Sequence, residues 1–223
     1  MIYKVIQTGS DGNAILVNGQ VLLDCGVAYQ KVQFAEEDLR LVLLTHIHAD
    51  HFRHSTVRRL AEQNPLLRFG CCPWMYEPLI GCNVSRKNID VYQPGQWYRY
   101  KQFQVSPVHL YHDVPNCGYK VHWNGEKLFY ATDTGSLEGI EAKGYDVYLV
   151  EANYEEQELL ERVAQKKENG EYIYEFEVIK RHLSRAQCDN FIYRNITHGE
   201  YVYLHQHKAG TKEDGQLPKN DKL

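Results

Sequence analysis

The chain has 223 residues, 43% hydrophobic and 24% charged, with a mean hydropathy of -0.54. That is enough apolar matter for a real core, so a disordered chain is excluded, and the length favours one large domain over two. The formal net charge of -4 excludes a protein that coats nucleic acid by bulk charge. It leaves open a nuclease whose bound metal ions supply positive charge locally.

The amino-terminal text MIYKVIQTGSDGNAILV has no basic segment followed by an apolar one, so no signal peptide is expected. No apolar run approaches the roughly 18–20 residues of a membrane span, and no membrane association is expected. Cys25, Cys71, Cys72, Cys82, Cys117 and Cys188 form no CxxC pair and no disulfide ladder, which points to the reducing cytoplasm. Cys71, Cys72 and Cys82 read as buried thiols rather than metal ligands. Tyrosine is frequent, at 17 residues, and suits half-buried strand positions.

In chain order, IYKVIQ and AILVNGQVLLDCG read as strands separated by the turn formers TGSDGN. FAEEDLR reads as a short helix. LRLVLLT is a continuous apolar run of strand length that breaks into HIHADHFRH, and STVRRLAEQ follows with helical periodicity and Ser55 as its cap. LLRFGCC and IDVYQP read as strands around a helical PWMYEPLIG. WYRYKQFQVSPVHL reads as a strand pair. KVHW, the turn NGEK and LFYATD form a hairpin, and DVYLVEAN is a further apolar strand. EEQELLERVAQKKENG is a charged helix ending at Gly170. SRAQCDNFIYRN is a second helix with Ser184 as cap, and EYVYLHQH a last strand. Residues 1–208 form the expected domain, and 209–223 a polar tail. Many strands with interspersed helices fit two helix-flanked sheets packed face to face.

The chemistry concentrates in Thr45-His46-Ile47-His48-Ala49-Asp50-His51. Four ligand-type side chains fall within six residues, directly after an apolar strand whose end is rigid. Imidazole suits zinc, and a carboxylate beside it broadens the choice. That is too many groups for one open catalytic ion once partners join from elsewhere, whereas two ions about 3.5–4 Å apart use them all.

His46-x-His48-x-Asp50-His51 resembles the signature of the metallo-β-lactamase superfamily, and further pieces follow in family order. The resemblance implies an α/β fold, an αββα sandwich of two mixed sheets flanked by helices. Asp24 in LLDCG resembles the Asp that braces the metal loop. His112 in HDVPNCGY resembles the H-x-x-P-x-x-G-Y ligand motif of the ribonuclease Z and phosphodiesterase branch. Asp133 in FYATDTG resembles the bridging Asp, and His182 in RHLSRAQ and His205 in YVYLHQH resemble that branch's two late histidines. The order GSDGN, LLDCG, LTHIHADH, HDVP, ATDTG, EAN and HLS is most similar to the YycJ/WalJ-like group of DNA exonucleases. By this resemblance His46, His48 and His112 hold one divalent ion, Asp50, His51 and His205 the other, and Asp133 bridges. Zinc is the first expectation and manganese the second. Asp50 orients the attacking hydroxide or takes its proton. His182 contacts the phosphate and protonates the leaving oxygen, and Ser184 caps a helix whose amino terminus favours a phosphate oxygen. The last ligand is His205 or, with a slip in register, His207. His109 is left outside the set as structural, as are His54, His122 and His198. Glu151 and Asn153 divide between a helix cap and a contact to the ligands or substrate. Arg53, Arg58 and Arg59 are either a solvated helix face or a backbone contact.

The expected function is therefore metal-dependent phosphodiester hydrolysis, with DNA or RNA as substrate and a YycJ-like exonuclease as the particular reading. A cyclic nucleotide or other small phosphodiester is the alternative, with 151–180 as a lid or a homodimer contact. Thioester or lactam hydrolysis and a catalytically idle metal-binding interaction protein come after these.

Overall fold

The computed structural model describes residues 1–206, so His207 and the 209–223 tail lie outside the described residues. The first apolar runs become β1 (Tyr3–Gln7), β2 (Ala14–Val17), β3 (Val21–Leu23) and β4 (Leu41–Leu44). Then come α1 (His54–Gln63), β5 (Arg68–Cys71), α2 (Tyr76–Gly81) and β6 (Ile89–Val91). The second half contributes β7 (Tyr98–Arg99), β8 (Phe103–Leu110), β9 (Asn116–Trp123), β10 (Glu126–Ala131) and β11 (Val147–Glu151). It closes with α3 (Glu156–Asn169), α4 (Glu175–Arg181), α5 (Arg185–Asn195) and β12 (Glu200–Leu204).

Each half builds one six-stranded sheet, ordered β1-β2-β3-β4-β5-β6 and β12-β11-β10-β9-β8-β7. Both are mixed. The first is antiparallel from β1 to β3 and parallel from β3 to β6. The second is parallel among β10, β11 and β12, and antiparallel from β10 to β7. Strand alternation gives each sheet two apolar faces. Ile15, Leu23, Leu41 and Leu43 meet Val105, Tyr119, Val121, Tyr130 and Leu149 between the sheets. The outer face of the first sheet carries Val42, Leu44 and Phe69 against Val57 and Leu60 of α1 and Leu79 of α2. On the second sheet, Phe129, Tyr148 and Val150 pack on Cys188, Phe191 and Ile192 of α5. Helix, sheet, sheet, helix is the layering expected from the sequence.

Local signals explain most boundaries. Asn124 and Gly125 take positive φ, 50° and 90°, so the β9–β10 turn is a tight two-residue one, narrower than the four-residue NGEK reading. Gly170 closes α3 with φ 66°. Ser184 caps α5 in a reciprocal box with Gln187. Three elements differ from the sequence reading. Only a 3-10 turn, Gln33–Ala35, enters the FAEEDLR segment, preceded by another at Tyr29–Lys31; so few residues of FAEEDLR are buried that nothing offsets helix nucleation. Ser55 lies inside α1, whose cap position is Arg53 with no side-chain cap bond. And α4 arises in a stretch, YIYEFEVIKR, to which the sequence reading assigned no element. Tertiary contact fixes it: a Cβ on Gly135 would come within 2.2 Å of the Lys180 carbonyl oxygen, so only glycine lets the end of α4 sit there. All six cysteines are free and buried. No helix among the described residues is long and apolar enough to cross a membrane.

Candidate metal centre

The site lies where strands from both sheets end. β4 is buried along its length and runs straight into Thr45-His46. At three other strand ends the next residues include one that turns left-handed: Asp24 after β3 (φ 58°), Asp133 after β10 (φ 54°) and His205 after β12 (φ 50°). Each costs on the order of 1 kcal/mol for a residue with a Cβ. Asp and His are among the types that tolerate it, and the turn swings all three side chains into one cleft.

The 46–51 loop folds back on itself, with His51 N donating to His48 O at 2.9 Å and Phe52 N to the same oxygen at 2.7 Å. It is tied down from outside by Asn13 N to Asp50 O (2.6 Å) and Cys25 N to His51 O (2.9 Å). Gly26 is required beneath it, because a Cβ there would lie 1.7 Å from the Asp50 carbonyl oxygen.

The structure brings together three overlapping groups of donors: His46, His48, His112 and Asp133; Asp50, His51, Asp133 and His205; and Asp133, Glu151, His182 and His205. Within each the ligand atoms all lie within 4.8 Å of one another. Asp133 belongs to all three. Its Oδ1 lies 3.3 Å from His51 Nε2 and 2.5 Å from His205 Nδ1, and its Oδ2 3.8 Å from both His46 Nε2 and His112 Nε2.

The rings are held from behind. Asp24 is fully buried; its Oδ1 accepts from Thr45 N (3.0 Å) and Oγ1 (2.9 Å), and its Oδ2 meets His51 Nδ1 (2.8 Å) and the Tyr130 hydroxyl (2.7 Å). Thr45 Oγ1 in turn contacts His46 Nδ1 at 2.9 Å. The Arg181 carbonyl takes His112 Nδ1 at 3.1 Å. Asn153 Nδ2 donates to the His205 carbonyl at 3.0 Å. Each contact leaves the ring's other face or nitrogen turned toward the cleft.

Burial holds His46 well below its ordinary pKa, and the charge on His51 adds to that. Burial opposes a charge on His51 as well, yet the Asp133 and Asp24 carboxylates hold it well above its ordinary value. Asp133, deeply buried, is held well below the carboxylate range by His51 and His205. His46 Nε2 is buried with no hydrogen-bond partner. An orphaned imidazole nitrogen inside a ring of imidazoles and carboxylates is an unmet demand for a cation, and the donor set is the one divalent transition metals prefer. These residues fit two ions.

His182 stands beside the second group. Its Nδ1 is 3.0 Å from Glu151 Oε2, and its ring centroid is 5.2 Å from that of His205. Burial works against its charged form, but Glu151 outweighs this and raises its pKa. Glu151 is itself fully buried and accepts from Thr134 N (2.7 Å) and Leu183 N (3.1 Å). It is therefore a brace and not a cap of α3, whose cap position is Glu155. Ser184 is not brought to the donors: its hydroxyl is committed to the α5 cap and to Glu156 Oε1 at 2.7 Å. His54, His109, His122 and His198 belong to none of the candidate metal groups among the described residues. Arg59 lies over the Tyr29 ring at 4.1 Å as part of the α1 surface.

Several contributors escaped the sequence reading. Asn13 Nδ2 sits 2.8 Å from His51 Nε2; its GSDGN setting read as a turn and as one piece of the family order, with no role for Asn13 itself. Asp113 Oδ1 lies 3.1 Å from His112 Nε2 and 3.5 Å from His48 Nε2, and its Oδ2 3.1 Å from Arg181. Tyr130 was one strand tyrosine among many, yet it is buried and braces Asp24.

Two mixed sheets between helices, with a buried His/Asp cluster at their shared edge, define a metal-dependent hydrolase of the metallo-β-lactamase fold. The Beta-lactamase superfamily domain matches residues 20–182, and the chain belongs to that family. No curated protein matches it. Among solved structures it is similar to the metallo-β-lactamase fold protein YhfI from Bacillus subtilis, with 16% identity and a TM-score of 0.70 over 94% of this chain and 87% of that one. The short form of human tRNase Z gives 15% identity and a TM-score of 0.65 over 92% and 93%. Zinc-bound PqqB from Methylobacterium extorquens gives 13% and 0.69 over 92% and 89%. At these identities the likeness is one of fold.

Proposed function

We propose that this chain is a dinuclear metal-dependent phosphodiester hydrolase acting on nucleic acid. The observation that carries the reading is the pair of donor groups sharing Asp133, with His182 and its Glu151 brace at their side. His46, His48 and His112 would hold one ion, Asp50, His51 and His205 the other, and Asp133 both. When bound, such ions lend Lewis acidity to a phosphoryl oxygen and lower the pKa of water. Zinc suits the imidazole-rich set, and zinc-bound PqqB shows that a neighbouring fold accepts it; manganese is the competitor.

The chain's own groups divide the remaining work. Asp50 keeps part of its carboxylate open to the cleft and takes the proton of the attacking water. His182 offers its Nδ1 hydrogen to Glu151, so the carboxylate favours a second proton on Nε2, ready for a phosphate oxygen or the leaving oxygen. Nucleic acid is favoured because the HDVPNCGY and HLS segments resemble the ribonuclease Z branch, and because tRNase Z is among the similar folds. The particular reading is a YycJ/WalJ-like exonuclease.

A second reading, a small phosphodiester, is supported by a cavity of about 140 Å³ lined by His182, His205, Asn153 and Tyr154. The test is metal-supplemented hydrolysis of single- and double-stranded DNA, RNA, cyclic nucleotides and a chromogenic phosphodiester, with Asp50→Ala alongside. Polymer cleavage lost in the variant is the expected result. Turnover of cyclic nucleotides alone selects the second reading, and metal bound with no phosphodiester cleaved sinks both.

A further inference from the structure

Away from the metal centre, one end of the outer face of the second sheet is only partly covered. The helical side of that sheet is covered where β10, β11 and the Val108 and Leu110 end of β8 join the cluster that packs on α5, but at the opposite end Arg99 is exposed and Gln104, Lys120, His122 and Lys127 are half-buried. The strand register aligns one cross-strand row there: Arg99 pairs with Gln104, Gln104 with His122, and His122 with Lys127. Directly paired residues point to the same side of a sheet, so these four side chains share one face. Lys120 joins them in the next row, opposite Ser106. An open groove of about 440 Å³ runs along the row, lined by Arg99, Gln104, His122 and Lys127 among others.

An aromatic pair stands beside this groove, with His122 on its lining. Trp97 is 42% exposed, and its ring sits 4.3 Å from the His122 ring, centroid to centroid. His122 is fixed through both nitrogens, Nδ1 3.3 Å from Gln104 Nε2 and Nε2 3.0 Å from the Tyr145 hydroxyl. The local field is positive: besides burial, Lys127 and Lys120 both push the His122 pKa down. Nearby acids are largely spoken for. Glu126 pairs with the amino-terminal ammonium, and Asp146 takes His198 and the Lys127 backbone N–H. Glu141 faces Lys120.

We infer that this face docks a single-stranded segment of nucleic acid outside the catalytic cleft, with bases against Trp97 and phosphates on Arg99, Lys120 and Lys127. In a chain of net charge -4, cations aligned beside a mounted aromatic ring match the combination that binds single strands without reading sequence. The groove lies at the Phe103 end of β8, and His112 follows just past its other end, Leu110. The eight-residue strand separates them by about 25 Å, so only a polymer reaches both. The inference rests on the nucleic-acid reading of the metal centre, but its test does not need hydrolysis.

Binding of a fluorescein-labelled single-stranded oligonucleotide, DNA and RNA in turn, is measured by anisotropy with chelator present, across a salt series. Trp97→Leu weakens binding roughly tenfold through lost stacking. Arg99→Ala with Lys127→Ala lowers the slope of log affinity against log salt by about 1.4, the contribution of two phosphate contacts. Turnover of a chromogenic small phosphodiester by the metal-loaded variants stays at the wild-type level. Unchanged affinity and slope in both variants, or wild-type binding of duplex as tight as single strand, overturns the proposal. Binding as described without cleavage of any substrate would instead remove the hydrolase reading and leave the docking face standing.

Discussion

Replacing Asp24 by Asn perturbs the brace behind the metal loop without changing its size. Asn tolerates the left-handed φ of 58° at this position, so backbone strain does not confound the result. The carboxylate is met by Thr45 N, Thr45 Oγ1, His51 Nδ1 and the Tyr130 hydroxyl at 2.7–3.0 Å. An amide offers one acceptor oxygen and a nitrogen that only donates. With the oxygen kept on Thr45, the new NH2 faces Tyr130 and His51. The tyrosine hydroxyl rotates and accepts. His51 accepts only by moving its hydrogen from Nδ1 to Nε2, the nitrogen directed at Asp133. A protonated Nε2 is no ligand. We therefore expect a stability loss of about 3 kcal/mol from the broken buried charge-assisted bonds, and metal affinity lower by about 10- to 100-fold. Thermal unfolding with chelator present measures the first, and competition against a chromogenic chelator the second. Affinity within about twofold of wild type, in a folded Asn variant, would refute the tautomer argument.

Other outcomes follow from the same geometry. Gly26→Ala drives a methyl to 1.7 Å from the Asp50 carbonyl oxygen, so the loop must move; a loss of about 3 kcal/mol or more is expected in denaturant melts, and a melt superposing on wild type would contradict the backbone geometry. Glu151→Gln removes the negative charge that favours charged His182; kcat should fall about 100-fold with metal content unchanged, and the activity-pH profile should shift to lower pH on the limb set by the acid. Burial pushes the Cys71 thiol up to about 12, and those of Cys25 and Cys188 higher still, so a thiol reagent at pH 8 should label these three only after unfolding. Fast native labelling of Cys71 would count against the packing between β5 and α2. Chelation should lower the unfolding temperature, since ions bind only the folded donor set, and re-addition of zinc should restore it.

Local chemistry made much of this legible early. The run Leu41–Leu44 followed by His46, His48, Asp50 and His51 is a strand and a ligand loop written consecutively. Gly170 ends α3, and Ser184 with Gln187 starts α5, because caps depend on residues within a turn of each other. Periodicity likewise showed which segments alternate and which are buried on both faces. Local pattern left α4 unassigned, and tertiary contact holds it, packed close over Gly135.

The inventory of donors and most of the elements that carry them could be read along the chain, because both are properties of short segments. The grouping of the donors followed from the family resemblance, and the folded chain shows how those donors are brought together and what braces them. Asp133 reaches His46, His51, His112 and His205 because β4, β10 and β12 end at one edge. Glu151 finds His182 31 residues on, Tyr130 finds Asp24 106 residues back, and Asn13 finds His51 across 38. Such pairs are set by the packing of two sheets against each other, and no spacing along the chain encodes them. The cross-strand row of Arg99, Gln104, His122 and Lys127 is of the same kind: alternation offers each side chain to a face, and register alone lines the four up.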